Sequence, residues 1–474
     1  MVVLQTIEGP PAKTAVIPLH FVIIGGGITG LACALALRRT GYIVTVLEKE
    51  EGYSSKSEGC RIPPNLTKIL YHLGLRRAFQ SKAMKCNNVH LLRFESGEYL
   101  NSYLWSDDLF METGGDLAFI QHAKLRDLLY EAVDFSGVDF RFNAEVVKID
   151  PETAVVTLRS GEIVRGDVIV GADGLQGISL HYMGCSEIPV EDTGIEMFSM
   201  TVPREAMVDD LDVCLAAEAD IGDMFIWMGN ERSVLGFPTD GERSELSMSV
   251  YVSLGPKHQD TILQATETEF EYPRRIAPYS KSRRVTMRAV LTEWVRGRMV
   301  IIGEAAHPLP PGSLQSTALS IEDGVVLAKL FSHLTSVRQI DEFLVALQEI
   351  RQPRCEEIHT KEYGIVYFMT MPPSEEEEYR DGGLRARRDA DMSYIDGDSD
   401  LGGSAEEKEF RDIFGYEATE EADSWWVDWG MTKERLEGKI PGRRLSTTNS
   451  NPIVVEVERS TTITVQQFRF WSFY

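Results

Sequence analysis

The first clear hydrophobic pattern starts at Phe21. A short apolar run, Phe21 to Ile24, meets the cluster Gly25-Gly26-Gly27-Ile28-Thr29-Gly30, and Leu31 to Arg39 follows at helical spacing. Gly41 closes that helix, and Ile43 to Leu47 is a second β-prone run ending at Glu48. Strand, glycine turn, helix and strand within about thirty residues predict a βαβ unit. The window Val22 to Leu37 is apolar enough to imitate a membrane span. Its glycine cluster instead predicts a buried strand turning into a buried helix.

The same reading predicts helices over Leu66 to Leu75, which follows Pro63-Pro64-Asn65, and over Leu125 to Val133. It predicts strands over Val138 to Ile149, Ala154 to Leu158 and Val168 to Val170. From about Ile195 to Val252 the pattern turns all-β and aromatic, with runs at Phe225 to Met228, Ser233 to Phe237 and Leu246 to Val252. Trp294 to Gly303 returns to a buried strand, followed by a Pro/Gly-rich loop. Ser320 to Leu334 then reads as a helix, and Asp341 to Tyr367 as one or two more. After Pro372-Pro373 the chain becomes strongly acidic as far as Asp423. This stretch reads as solvated linker and helix ends, and Asp396-Gly397-Asp398-Ser399-Asp400 lacks the distant glutamate of a calcium loop. Trp425, Trp426 and Trp429 are expected to dock a terminal helix on the core.

Composition narrows the function classes. The chain has 474 residues with a net charge of −25, and about half of that charge falls between Ser374 and Asp423. Such acidity excludes an ordinary nucleic-acid footprint and disfavours attachment to anionic lipid. Six cysteines without a CxxC pair suit a reducing, cytoplasmic compartment and argue against a zinc ribbon, and no metal is expected. Neither a signal peptide nor a membrane span is expected.

The chemistry concentrates in three strand-to-loop segments. Gly25-x-Gly27-x-x-Gly30 follows a strand and opens a helix, and Glu48 ends the next strand. In that context the glycines serve a tight turn, an open approach for a pyrophosphate and close helix–strand packing. The helix N-terminus supplies unpaired N–H groups to phosphate. A carboxylate at Glu48 suits a free ribose hydroxyl and disfavours a 2′-phosphate, leaving FAD or NAD. The second segment is Gly166 to Gly174, ending in Asp173-Gly174. The third is Arg298 to Pro308, carrying Gly303-Glu304 and feeding a helix near Gln315. Three such segments, far apart in sequence, suit a ligand as long as FAD.

Together these segments resemble the single-component FAD-dependent aromatic hydroxylases, in particular the salicylate-hydroxylase-like monooxygenases common in fungal secondary metabolism. The likeness runs from about Phe21 to Gly430 and includes Gly59-Cys60-Arg61-Ile62-Pro63-Pro64-Asn65 and Ala422-Asp423-Ser424-Trp425-Trp426. No second GxGxxG is present, as in that class. The fold implied is α/β: a doubly wound, Rossmann-like FAD-binding domain interleaved with a β-sheet substrate domain, plus a helical C-terminal region. The boundaries expected are 18–90, 116–190 and 290–345 for the FAD-binding domain, and 91–115 and 191–289 for the substrate domain. Residues 346–440 form the helical and acidic region, and 441–474 a tail of unassigned structure.

The resemblance implies bound FAD, transient NADPH or NADH, and O2. A flavin C4a-hydroperoxide would deliver oxygen to a small aromatic or a polycyclic substrate. An epoxidase or oxidase on the same scaffold, or a flavin-binding paralogue with little turnover, are the alternatives. Glu304 stands where the family has an aspartate for the ribityl chain, Ser316 where glycine is common, and His122 where an arginine lies near the phosphates. Gln315 begins the helix aimed at the flavin, and Arg126 is placed to compensate for His122, with a surface ion pair as the competing reading. Leu180 and Ser199 replace two further family arginines, the second on the substrate-domain strand that faces the flavin. Gly59 and Arg61 are expected beside the cofactor, and Trp227, Arg232, Phe237 and Pro311 at the substrate pocket or its rim. For Trp227 and Phe237 sheet packing is the competing reading. Arg61 and His307 are the candidates for a direct chemical role, with loop shaping the alternative for His307.

Overall fold

The computed structural model describes residues 15–104, 111–184, 190–203, 222–240, 245–254, 279–392 and 405–430. The expected tail at 441–474, the acidic run Asp396 to Asp400, and Cys185 and Cys214 lie outside them. Among the described residues no helix is long and apolar enough to cross a membrane.

The first layer is a six-stranded sheet. Its order is Val295–Arg296, Met299–Ile301, Val168–Gly171, His20–Ile24, Ile43–Leu47 and Asp139–Arg141, parallel except at the first pair. Strand His20–Ile24 reads almost purely apolar because both of its faces are covered. Helix α1 (Ile28–Thr40) is buried over most of its circumference and stops at Gly41, whose φ of 104° lets its N–H close back on Arg38 and Leu37. Helix α2 (Pro64–His72) starts one residue before Asn65, with proline in its first turn. Helix α3 (His122–Phe135) extends beyond the expected Leu125 to Val133 at both ends. The predicted strand over Val138 to Ile149 is two strands, Asp139–Arg141 and Val146–Asp150. Asn143, at φ 53°, breaks the run between them.

Helix α4 (Ser316–Phe331) begins four residues before the predicted Ser320, and Asp341 to Tyr367 is a single helix, α5 (Ile340–Met369). At 30 residues α5 is about 45 Å long. Its first half, through Phe343 and Leu347, belongs to the core of the parallel sheet. Its last half, through Tyr363 and Val366, belongs to the core of a second sheet.

That second sheet has seven strands, in the order Tyr279–Arg288, Val190–Pro203, Glu245–Ser253, Arg232–Pro238, Asp223–Gly229, Asn88–Arg93 and Tyr99–Leu104. Alternation divides its faces. Met197, Leu235, Phe237 and Tyr251 point inward, towards α5 and a small sheet of Gly59–Ile62, Ala118–Gln121 and Met84–Lys85. Phe198, Met200, Val234 and Val250 point outward into a separate cluster.

The acidic run after Pro373 bears out the helix-end part of its sequence reading and corrects the linker part. Glu375 to Glu378 form the first turn of helix α6 (Glu375–Asp389), where Ser374 caps Glu377 N at 3.1 Å. Four carboxylates at a helix N-terminus complement its dipole. The inner face of α6 buries Glu377, Arg380, Asp381 and Leu384, so this segment is packed structure rather than linker. Trp425 and Trp426 pack edge-on against Phe343, as expected, whereas Trp429 stays 70% exposed.

α4 carries two adjacent carboxylates inside an apolar helix, and both are fully buried. Arg351 of α5 reaches Glu322 at 2.7 Å and Asp323 at 2.8 Å, and Arg354 reaches Glu322 at 2.9 Å. Asp323 also accepts from Gly303 N at 2.9 Å and meets His307 Nε2 at 2.6 Å. Burial disfavours the imidazolium, but Cys355 and Asp323 outweigh it, and the His307 pKa is pushed up to about 10. Its stabilising contribution is complete below 6.5 and lost as pH rises through about 10. Removing one partner of such a network leaves buried charge unpaired. Arg351→Met is therefore expected to lose roughly 3–5 kcal/mol of unfolding free energy in urea titrations. The wild-type protein should also soften measurably as pH approaches 10.

Candidate functional site

The parallel strands end on one edge, and the chain leaves His20–Ile24 and Val168–Gly171 towards opposite sides. Ligands of open α/β sheets bind at such a switch point. A cavity of about 690 Å³ lies there. Gly25, at φ 103°, donates its N–H to Leu47 O at 2.9 Å, and a Cβ on it would sit 2.6 Å from Ala172 O. A Cβ on Gly30 would sit 2.0 Å from Gly25 O. At Gly27 a Cβ would point into open space, with no atom within 4 Å among the described residues. Gly27 is the N-cap of α1 and offers no side chain to the first N–H groups, and Ile28 and Thr29 line the cavity.

Four carboxylates border the same cavity, of which Glu145 is paired with Arg159. Glu48 accepts from Gly26 N at 2.8 Å and Glu50 N at 3.0 Å, leaving acceptor capacity on both oxygens. Asp173 accepts from Ser179 N through one oxygen, while its buried Oδ1 has no partner among the described residues. Burial pushes its pKa up. Gly174, at φ 73°, continues the turn. Glu304 lies exposed at the rim, within 3.3 Å of Ser316 Oγ at the start of α4. Gly303, at φ 66°, hangs the Glu304 loop from Asp323. His122, the first residue of α3, completes the wall.

A Cβ-free approach at Gly27, an uncapped helix N-terminus for phosphate, an orphaned acceptor on Asp173 and spaced carboxylates for hydroxyls fit an extended dinucleotide. A family model described as FAD binding domain matches residues 19–361. The chain belongs to the FAD binding domain family. It is 26% identical over 397 residues to the FAD-dependent monooxygenase OpS4 of Beauveria bassiana, covering 80% of this chain and 91% of that one. It is 25% identical over 391 residues to 3-amino-4-hydroxybenzoate 2-monooxygenase PtmB3 of Streptomyces platensis, covering 79% and 95%. Among solved structures, CtdE in complex with FAD and a substrate superposes with a TM-score of 0.70 at 18% identity, covering 89% of this chain and all of that one. A salicylate hydroxylase substrate complex superposes with a TM-score of 0.65 at 19% identity, covering 86% and 97%. These likenesses show the fold, an FAD-binding α/β body with a helical C-terminal region, and FAD is the cofactor that Glu48, Asp173, Glu304 and the α1 turn would hold.

Other predicted residues lie behind the wall. Gln315 is buried and turned away, its Oε1 accepting from Asn65 Nδ2 at 3.0 Å and its backbone N–H donating to Glu362 at 2.8 Å. Arg126 lies 4.2 Å over the Tyr53 ring and pairs with Asp127, and Tyr53 OH donates to Gly26 O. It thus steadies the glycine turn from behind. Gly59 donates to Ser247 Oγ at 3.0 Å, and a Cβ there would sit 2.4 Å from that side chain, so it serves the contact between sheets. Arg61 donates to Gly312 O at 2.6 Å. Pro311 O accepts from Tyr251 OH at 2.7 Å. Phe237 is 2% exposed with its ring 4.9 Å from Phe119, which makes it core.

Three expected site residues lie elsewhere. Trp227 stacks on Phe225 and packs with the outward cluster, on the face of its sheet opposite α5. Arg232 lies over the Phe94 ring at the same outer cluster. His307 is 2% exposed and committed to Asp323, so its place is in the support and not on the cavity wall. The support itself, with Asn65, Glu322, Asp323 and Arg351, was missed. Its one legible signal is the Glu322-Asp323 pair inside an apolar helix.

The glycines separate binding from folding. Gly27→Leu should leave the unfolding midpoint near wild type while weakening FAD binding by about a hundredfold, some ~2.7 kcal/mol, in fluorescence-quenching titrations. Gly30→Ala should instead lower the unfolding midpoint, because its clash is with backbone.

Proposed function

We propose that this chain is an FAD-dependent monooxygenase of the salicylate-hydroxylase-like group. It takes electrons from NADPH or NADH in the cytoplasm and puts one oxygen atom of O2 on an aromatic or polycyclic substrate. FAD, when bound, supplies the hydride acceptance and the oxygen activation. The observation that carries the reading is the seat of the loop after Glu304 on the inner face of the seven-stranded sheet.

That loop, Pro308 to Gln315, leads from the rim of the cavity to the start of α4. Tyr251 holds Pro311 O, Arg61 holds Gly312 O, and a Cβ on Gly312 would meet Tyr251 OH at 2.4 Å. Glu362 takes the N–H of Gln315. Burial keeps the Glu362 carboxyl above its usual range, against the opposing influence of Arg61. These contacts tie the backbone down between the cavity rim and α4. The inner face beyond it is a closed apolar layer, with Met197 and Phe237 packed against Phe119 of the small sheet. The N-terminus of α4, at Ser316 and Thr317 on the cavity wall, favours negative charge next to it. Relatives named as FAD-dependent monooxygenases and as an aromatic-acid monooxygenase support the substrate class.

The test is anaerobic reduction of FAD-loaded protein by NADH and by NADPH with a library of phenols and aromatic acids, followed by ¹⁸O2. One labelled oxygen per product molecule is expected. Reduction followed by hydrogen peroxide alone, with unlabelled product, makes the chain an oxidase. Failure of both nucleotides to bleach the flavin under every substrate favours a low-turnover paralogue.

A further inference from the structure

The family resemblance implies an arginine at position 199, and this chain has serine there. A cation nevertheless reaches that place from the next strand. Ser199 lies on Val190–Pro203, which pairs with Tyr279–Arg288, and Arg283 sits opposite Met197 on the same inward-facing row. Arg283 grips both oxygens of Glu58, at 2.6 Å and 2.6 Å, beside Ser199. The pair is about three-quarters buried, with Arg283 25% and Glu58 23% exposed.

Glu58 is the hinge between this arginine and the cofactor cavity. Its backbone oxygen accepts from His122 N at 3.0 Å, and His122 lines the cavity. The charged groups facing the imidazole are Glu58 from the strand side, Arg283 from the seven-stranded sheet, and Arg126 one turn along its own helix. Two cations and one carboxylate therefore surround a histidine that meets an anionic ligand. Glu58 is the strongest charged influence on His122, and Arg283, which holds it with both nitrogens, opposes that pull.

We infer that Arg283 is a positioning residue whose two-pronged grip on Glu58 sets the charge with which His122 meets FAD. The inference rests on FAD binding and is independent of the oxygenation chemistry. Burial, with Arg126 and Arg283, holds the His122 pKa below its ordinary value of 6.5, against the pull of Glu58. FAD carries phosphate charge, so its affinity falls as pH rises through the His122 pKa. Freeing Glu58 raises that pKa, and deleting Glu58 lowers it further.

The experiment measures the dissociation constant of FAD from the apoprotein by flavin fluorescence across the range in which a histidine titrates. Wild type should show a break below 6.5. Arg283→Gln should move the break up by about one pH unit, tenfold in proton affinity. Glu58→Gln should move it down, Arg283→Lys, which keeps the charge but loses the second prong, should move it up by less than Arg283→Gln, and His122→Gln should abolish it. Affinity that drops at every pH with the break unmoved marks a merely structural pair and overturns the inference. So do Arg283→Gln and Glu58→Gln shifting the break in the same direction, or a break that survives in His122→Gln. A failure of wild type to bind FAD at any pH refutes the cofactor assignment instead.

Discussion

Everything at the cofactor end hangs on one buried carboxylate. Asp323 is fully enclosed, yet it accepts from Gly303 N, His307 Nε2 and Arg351 Nε at 2.9, 2.6 and 2.8 Å. A lone buried carboxylate is costly, and three donors around it turn that cost into directionality. The three come from the loop bearing Glu304, from the turn that follows it, and from α5. Glu322 repeats the arrangement one residue earlier, with Arg351, Arg354 and Asn65. The rim of the cavity, the middle of α4 and the start of α2 are thus fixed to one another by charge, where apolar packing alone would let them slide.

From this knot the rest of the site follows mechanically. α5 carries Arg351 in the core of the parallel sheet and Glu362 and Tyr363 at the second sheet. One helix, interrupted in its backbone hydrogen bonding at Pro353, therefore links the dinucleotide edge to the apolar face opposite. The loop between Glu304 and α4 is stretched across that gap and tied down at Pro311, Gly312 and Gln315. The Glu58–Arg283 pair makes a parallel tie on the other side of the cavity, through His122.

Much of this was legible in the sequence, and the exceptions share a cause. Gly25, Gly27, Gly30, Glu48, Asp173 and Glu304 were readable because their chemistry is local. Each needs only its own strand end and turn, and all but Gly30, which packs against Gly25, line the cavity. Trp227 was misplaced because alternation gives two faces without saying which is inward; the neighbours Met224 and Met228 took the inner one. His307 and Arg126 show the right chemistry in the right neighbourhood, but partners on other elements, Asp323 and Tyr53, draw both behind the wall. The acidic segment misled for a different reason. Glu375 to Glu378 read as a solvated linker or helix end, and no local pattern shows that the inner face of that helix, through Glu377, Arg380 and Asp381, is buried. No local pattern could pair Arg283 with Glu58 across 225 positions.

The central claim is that this buried carboxylate, which never touches the cofactor cavity itself, sets the cavity's shape. The most direct measurement is the FAD dissociation constant of Asp323→Asn, taken with a thermal melt of the apoprotein. An amide keeps the size but brings a donor against Gly303 N and His307 and removes the charge that Arg351 answers. The account predicts FAD binding weakened by at least about tenfold, ~1.4 kcal/mol, at a temperature where the variant is still folded. Wild-type affinity in a folded Asp323→Asn protein would contradict it.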